Sequence, residues 1–228
     1  MKIVACITTR NEARSIGLLV GKLIAGDFDA VLVVDDASTD GTAEIAKNDG
    51  AMVFNNKRRL GMAASILLGW RLALSLDAGL VLQIDAGGSH NPVDAWKFIS
   101  PGFAQPADLV IGSRFCKGAR YVGRSWRAVM SRAAAVACNL AQPGARWSDW
   151  TSGYRAYSAL ALRVLTERAY RSRMHGFQIE TLARAGAAGL SITEVPITYT
   201  AGESAFNSQI AAECFRAWWD VMRARLER

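Results

Sequence analysis

The chain has 228 residues, 51% of them apolar and 21% charged, with 27 Lys and Arg against 20 Asp and Glu for a formal net charge of +7. That length allows one large α/β domain or two small ones with a real core, and the composition is that of a globular protein, not a disordered or fibrous one. Four scattered cysteines without a CxxC pair argue against a zinc site or a disulfide framework and fit a reducing compartment.

"KIVACIT" reads as a buried first strand that turns polar after eight residues, so the start of the chain is no signal peptide. "EARSIGLLVGKLIAG" predicts a helix opened near Asn11 and closed by Gly26. The strand "AVLVVDD" follows, then a helix from Asp40 to Asn48 with Asp40 as its N-cap, and a short strand "AMVFN". A helix from Met62 to Leu76 leads into the strand "GLVLQID"; "VDAWKFIS" reads as helix and "ADLVIGS" as strand. Continuous Val/Ile/Leu strands separated by helices predict an α/β fold with a mainly parallel sheet covered on both faces. Ligands of such sheets sit at the carboxyl ends of the strands, here "TTRNE", "DDASTDGT", "DAGGSH" and "GSRF".

The second half begins with a helix over 124–141, too short in its uncharged part to span a bilayer. A Gly/Trp-rich loop, "QPGARWSDWTSGYR", precedes helices near 158–169 and 176–188. "SITEVPITYT" reads as a strand, with Pro196 suggesting an edge position, and one amphipathic helix runs from Phe206 to the end. Residues 113–173 carry twelve Lys and Arg against Asp149 and Glu167 alone, which points to an anionic partner. Neither a GxGxxG turn after the first strand nor a GxxxxGK[ST] loop is present, which excludes the common dehydrogenase and kinase designs.

The ordered pieces "TTRNE", "VVDDASTDGT", "LGMAASILLGW", "QIDAGGSHNP", "VIGSRF", "SDWTSGYRAYS" and "GFQIETLARAGAAGLSITEVPITY" resemble family 2 glycosyltransferases of the GT-A fold, most closely the dolichol-phosphate mannose synthase branch. The resemblance covers about residues 1–200 and implies a single GT-A domain. Residues 1–112 form its nucleotide-binding half, 113–200 its acceptor-binding half, and 201–228 the C-terminal amphipathic helix. It places Thr8, Arg10, Glu12 and Asp36 around the nucleotide, with Asp35 and Ala86 counted in the same donor-binding set. Thr8 and Arg10 stand where the family usually has Pro and Tyr. Independently of the resemblance, Asp35 and Asp36 end a strand, where carboxylates can accept hydrogen bonds from a base N–H or ribose hydroxyls, each worth roughly 1.5–3 kcal/mol.

The resemblance aligns "DAGGSH" with the family's Asp-x-Asp metal motif: Asp85 matches the first acid, and Gly87 replaces the second. Magnesium needs few protein ligands, so Asp85, with Ser89 or His90, is expected to recruit Mg2+ or Mn2+ onto the donor diphosphate. The alternative is that Gly87 and Gly88 only form a turn and no metal is required; His90 itself reads as a helix-entry residue rather than a ligand. Acceptor-phosphate contacts map onto Arg114, Arg127 and Ser131, the last two sharing a helix face at a spacing of four. Asp149 would orient Arg155 for a phosphate acceptor, or act as base for a hydroxyl acceptor. Gln178 and Glu180 are candidates for sugar hydroxyls. Arg163, Arg168, Arg171 and Arg173 read mostly as solvated surface charge. A basic loop usual in the family is lost at Ala205, for which Arg10, Lys57, Arg58 or Arg59 could compensate.

The expected activity is inverting transfer of a sugar from a GDP-mannose-like or UDP-sugar donor to a polyprenyl or dolichyl phosphate. The expected location is cytoplasmic, peripheral at the inner face of the membrane, with no nucleic-acid partner. A soluble transferase acting on a saccharide hydroxyl, and a non-catalytic sugar-nucleotide-binding module, remain as alternatives.

Overall fold

The computed structural model describes residues 1–100, 107–123, 125–142, 144–167, 169–202 and 208–226. The strands β1 (Lys2–Thr9), β2 (Ala30–Asp35), β3 (Met52–Asn55) and β4 (Ala78–Asp85) are joined through helices α1 (Ile16–Ile24), α2 (Thr42–Asn48) and α3 (Met62–Ser75). These strands pair in parallel in the order β3-β2-β1-β4. A 3-10 helix, Pro92–Phe98, leads to β5 (Leu109–Ser113) and the short β6 (Arg120–Val122). Helix α4 (Ser125–Ala141), β7 (Arg155–Ser158), α5 (Ala159–Thr166), α6 (Gly176–Ala187), β8 (Ile192–Pro196), β9 (Thr198–Thr200) and α7 (Ser208–Leu226) complete the order.

The main sheet has seven strands, β3-β2-β1-β4-β7-β5-β8, and only β7 runs antiparallel to its neighbours. Alternation along β1 sends Val4 and Cys6 to one face, with Trp70 and Phe177, and Ala5 and Ile7 to the other, with Ile16, Leu19 and Val20. Both faces are therefore apolar, which is why these strands read as unbroken hydrophobic runs. Trp70 is fully buried, its ring 4.8 Å from Tyr157 and 5.6 Å from Phe177, and its indole N–H donates to Gln83 Oε1 at 3.0 Å. That bond removes the cost of burying the ring's polar atom.

Several expected elements shift. The tail of the Gly/Trp loop is β7, a central strand that the sequence pattern concealed. The segment around Trp96 is a 3-10 helix with Pro92 in its first turn, and the Asn91 side chain accepts from Val93 N–H. The strand expected over "SITEVPITYT" divides after Pro196 into β8, on the edge of the large sheet, and β9, which pairs with β6. The residue at the N-cap of α2 is Gly41, at φ 83°, and not Asp40. Asp40 supports the same turn from one residue earlier, accepting from Thr42 N–H at 3.1 Å. The expected start of the last helix at Phe206, and Ala205, lie outside the described residues, as does Arg168.

Candidate active site

The parallel register sets Thr8 beside Asp85 and Thr9 beside Asp35, so three polar turns meet at one edge of the sheet. The turn after β1 is fastened to the turn after β2 by four cross-loop hydrogen bonds. Asn11 N–H donates to Ser38 Oγ, Thr39 N–H to Asn11 Oδ1, Glu12 N–H to Thr42 Oγ1, and Ala13 N–H to Asp40 Oδ2. Asn11 adopts the left-handed conformation, φ 55°, and its side chain completes the turn. The "STDGT" portion of the motif thus fixes where Glu12 stands.

Asp35 accepts from the Ser38 N–H and hydroxyl. Asp36 accepts from Leu60 N–H at 2.7 Å, Gly61 N–H at 2.9 Å and Asn56 Nδ2 at 3.0 Å. Burial raises the Asp36 proton affinity, but these donors, with Ser65, outweigh it and hold the carboxyl below the usual carboxylate range. Asp36 therefore anchors the segment preceding α3, beside the exposed Lys57, Arg58 and Arg59. Arg10 is exposed, Thr8 half-buried, and Ala86 buried with Ile7 and Ile84 in the core. The Ala86 methyl is thus core, and only its main chain is left for a donor contact.

Asp85 lies at the carboxyl end of β4, and among the described residues no donor reaches its carboxylate. Burial, and the negative charge of Glu12, push its pKa up to about 6. A Cβ placed on Gly153 would stand 2.7 Å from Asp85 Oδ2 and 3.4 Å from Gln178 Nε2, so the glycine of "TSGYR" lets that loop close against both. Gln178 is buried, and its Oε1 has no hydrogen-bond partner. Among the described residues, no three His, Cys, Asp or Glu side chains form a group able to hold a metal. Asp85 with Glu12 is a hard oxygen set, which suits a divalent ion that keeps waters and takes substrate phosphate oxygens.

His90 is not placed as a ligand. Its ring packs 5.1 Å from Tyr154 and 5.3 Å from Tyr199. Burial, then the nearby Arg114, push its pKa down to about 3 against an opposing pull from Asp149, so the ring is neutral. Ser89 uses its carbonyl to accept from Thr200 N–H.

Asp149 is fully buried and grips Arg114 through two bonds, Nε to Oδ2 and Nη2 to Oδ1, both 2.7 Å. It also accepts from the N–H groups of Arg114, Thr151 and Ser152. Burial alone would raise its pKa, but the Arg114 charge and these donors hold it below the usual range. A carboxylate so committed is a poor base at neutral pH. The expected partner is also corrected: Asp149 orients Arg114, whereas the buried Arg155 donates to the Gln178 and Trp150 carbonyls. Glu194 of β8, which sequence reasoning missed, positions this loop by accepting from Ser148 and Asp149 N–H.

Arg114 stacks on Tyr199 and Phe115 at 5.1 and 5.2 Å and keeps Nη1 without a partner among the described residues. Burial raises the proton affinity of Tyr121, and the charges of Arg114 and Arg127 both oppose that rise. Arg127 Nη1 donates to the Gly202 carbonyl at 2.9 Å, and Ser131 is one turn further along α4. Glu180 departs from its expected sugar contact. Its carboxylate accepts from Arg171 and Ser172 N–H and pairs with Arg184 at 2.5 Å, a structural network that accounts for it. Arg163, Arg171 and Arg173 are exposed, as surface charge would be.

A mainly parallel sheet with one antiparallel strand and acids at its carboxyl edge is the architecture of the GT-A class. The family model "Glycosyl transferase family 2" matches residues 4–160, so the chain belongs to glycosyltransferase family 2 and is a glycosyltransferase. It is 33% identical to an undecaprenyl-phosphate mannosyltransferase of Micrococcus luteus, over 99% of both chains. It is 32% identical to a polyprenol monophosphomannose synthase of Mycolicibacterium smegmatis, over 97% of this chain and 88% of that one. The fold matches glucosyl-3-phosphoglycerate synthase from Mycobacterium tuberculosis, solved with Mn2+, UDP-glucose and phosphoglyceric acid. The TM-score is 0.72 at 20% identity, over 98% of this chain and 79% of that one. Among the described residues no helix is long and apolar enough to cross a membrane.

Proposed function

We propose that the protein transfers a sugar, with inversion, from a nucleotide-sugar donor to a polyprenyl phosphate at a membrane surface. The observation that carries this reading is the pairing of Asp149 with Arg114. It commits the carboxylate expected to serve as base to Arg114, and so makes it the support of a cation on the acceptor side. A phosphate acceptor arrives ionised and requires charge neutralisation and alignment, which this arrangement supplies; a saccharide hydroxyl would require a base. The names of the two bacterial relatives support a polyprenyl acceptor.

In this reading the turns after β1 and β2 hold the nucleotide, with Thr8, Arg10, Glu12, Asp35 and Asp36 at its edge. Asp85 and Gln178 lie beside the diphosphate and the sugar. A divalent cation, when bound at Asp85, would neutralise charge on the departing diphosphate. Arg114 Nη1, Arg127 and Ser131 hold the acceptor phosphate so that one of its oxygens approaches the anomeric carbon opposite the leaving group. The exposed apolar stripe of α4, Trp126, Val129, Met130, Val136 and Leu140, leads the lipid tail away from the site and rests on the bilayer.

The test is transfer from labelled GDP- and UDP-sugars to a polyprenyl phosphate, counted in the organic phase. Label should enter the lipid, and Arg127→Ala should lower transfer about ten-fold or more, as loss of a charge-assisted phosphate bond of roughly 1.5–3 kcal/mol dictates. Label recovered only on water-soluble saccharides would overturn the reading.

A further inference from the structure

We propose that Glu12 supplies the second carboxylate of a divalent-cation site with Asp85, serving in place of the side chain that position 87 lacks. The inference deepens the transferase reading and rests on it for the identity of the donor, but not for its test.

Gly87 is exposed at the turn after β4. A Cβ built there meets a single atom within 4 Å, Glu12 Oε1 at 3.5 Å. The space in which an acid at 87 would project thus opens onto an acid delivered from another loop. Glu12 is held there by construction. Its N–H donates to Thr42 Oγ1 at 2.8 Å, the preceding Asn11 is tied to Ser38 and Thr39, and the Thr8–Asp85 register brings the end of β1 alongside the end of β4.

The unused hydrogen-bonding capacity points to a cation. Ser15 donates to Glu12 Oε2 at 3.1 Å, and Oε1, the oxygen facing Gly87, accepts nothing among the described residues. The Asp85 carboxylate likewise accepts nothing among the described residues, and the buried Gln178, whose Nε2 approaches the same Gly153 position as Asp85 Oδ2, leaves its Oε1 unpartnered. Two carboxylates brought to one turn, with oxygens that accept no hydrogen bond, are costly in a protein and become favourable around a hard cation. Nucleotide phosphates and water would complete its shell.

Mn2+ binding to the full chain, with UDP or GDP present, tests the assignment through the electron paramagnetic resonance signal of free Mn2+. Wild type should bind, and both Glu12→Gln and Glu12→Asp should weaken Mn2+ at least ten-fold. The second variant keeps the charge but withdraws the oxygen by one methylene, and it carries the test if the first fails to fold. Adding Gly87→Asp to Glu12→Gln should recover most of the lost affinity, because it returns a carboxylate to the same space. Mn2+ affinity is read at a nucleotide concentration that saturates each variant in chelator, so that any weakening of nucleotide binding by the Glu12 variants is kept apart from loss of the cation. Absence of Mn2+ binding by wild type, or wild-type Mn2+ affinity in Glu12→Asp, would overturn the proposal. No acceptor enters this measurement, so its failure is read separately from failure of lipid transfer.

Discussion

At the scale of single residues, the site depends on what is missing as much as on what is present. Gly153 carries no positive φ, so its backbone would accept any residue; its constraint is Asp85 Oδ2, 2.7 Å from where a Cβ would be. Alanine there must push the Asp85 carboxylate or the loop aside, a type of overpacking that costs about 1–3 kcal/mol. The expected outcome for Gly153→Ala is turnover reduced ten-fold or more with a modest loss in melting temperature, because the displaced group is the acid at the centre of the site. Steady-state kinetics with the nucleotide sugar check it, and unchanged turnover would place Asp85 outside the chemistry. Gly87 differs: space around it is open apart from Glu12, and a side chain there adds to the site without displacing it.

At the scale of elements, α4 and α7 carry the exposed apolar side chains on which the proposed membrane contact would depend. Trp218 of α7 donates to the Ala137 carbonyl of α4 at 3.0 Å, which fastens the two helices together. Outside that seam Val129 and Met130 of α4, and Phe215 and Trp219 of α7, are exposed, with Arg132, Arg216 and Arg223 among them. An apolar face edged by arginines gains from acyl burial and from about 1 kcal/mol for each basic group near an anionic surface. Val129→Asp with Met130→Asp should therefore abolish co-sedimentation with vesicles containing anionic lipid, while melting temperature stays close to wild type. Retained sedimentation would assign membrane contact to another face. These helices were legible in the sequence as periodic apolar patterns, and so were β1, β2, β4 and β5 as continuous apolar runs. Strand β7 was not, because "RAYS" opens with a charge. Arg155 is tolerated there only because two distant carbonyls, of Trp150 and Gln178, accept from it. The same limit governs the site. Asp85 announces itself as an acid ending a strand, whereas the approach of Glu12 to Gly87, and of Asp149 to Arg114, exists only once β1, β4 and β5 are registered side by side.

At the scale of the whole molecule, His90 joins the donor side to the acceptor side. It follows the Asp85 turn in the chain, pairs as an isolated bridge with Tyr199 of β9, and lies within the fields of Arg114 and Asp149. A protonated ring there would set a second cation beside Arg114 in a buried aromatic cluster, and the fold avoids this by holding the ring neutral down to about pH 3. The consequence for stability has a definite sign. Below the ordinary histidine value of about 6.5, the unfolded chain takes up a proton that the folded protein refuses, so acidification favours unfolding in that window. Asp85 works in the opposite direction, since its folded carboxyl takes up a proton near pH 6, before the unfolded one does. The wild-type curve mixes the two, and a non-titrating substitution separates them. Between pH 7 and 5, the stability difference between wild type and His90→Gln should move in favour of the variant by about 2 kcal/mol, as about 1.4 kcal/mol per pH unit below the unfolded value requires. Denaturant unfolding of both proteins at several pH values measures it. A difference that stays constant with pH would mean that His90 is protonated in the folded protein, and that the aromatic cluster between the donor turn and Arg114 admits water.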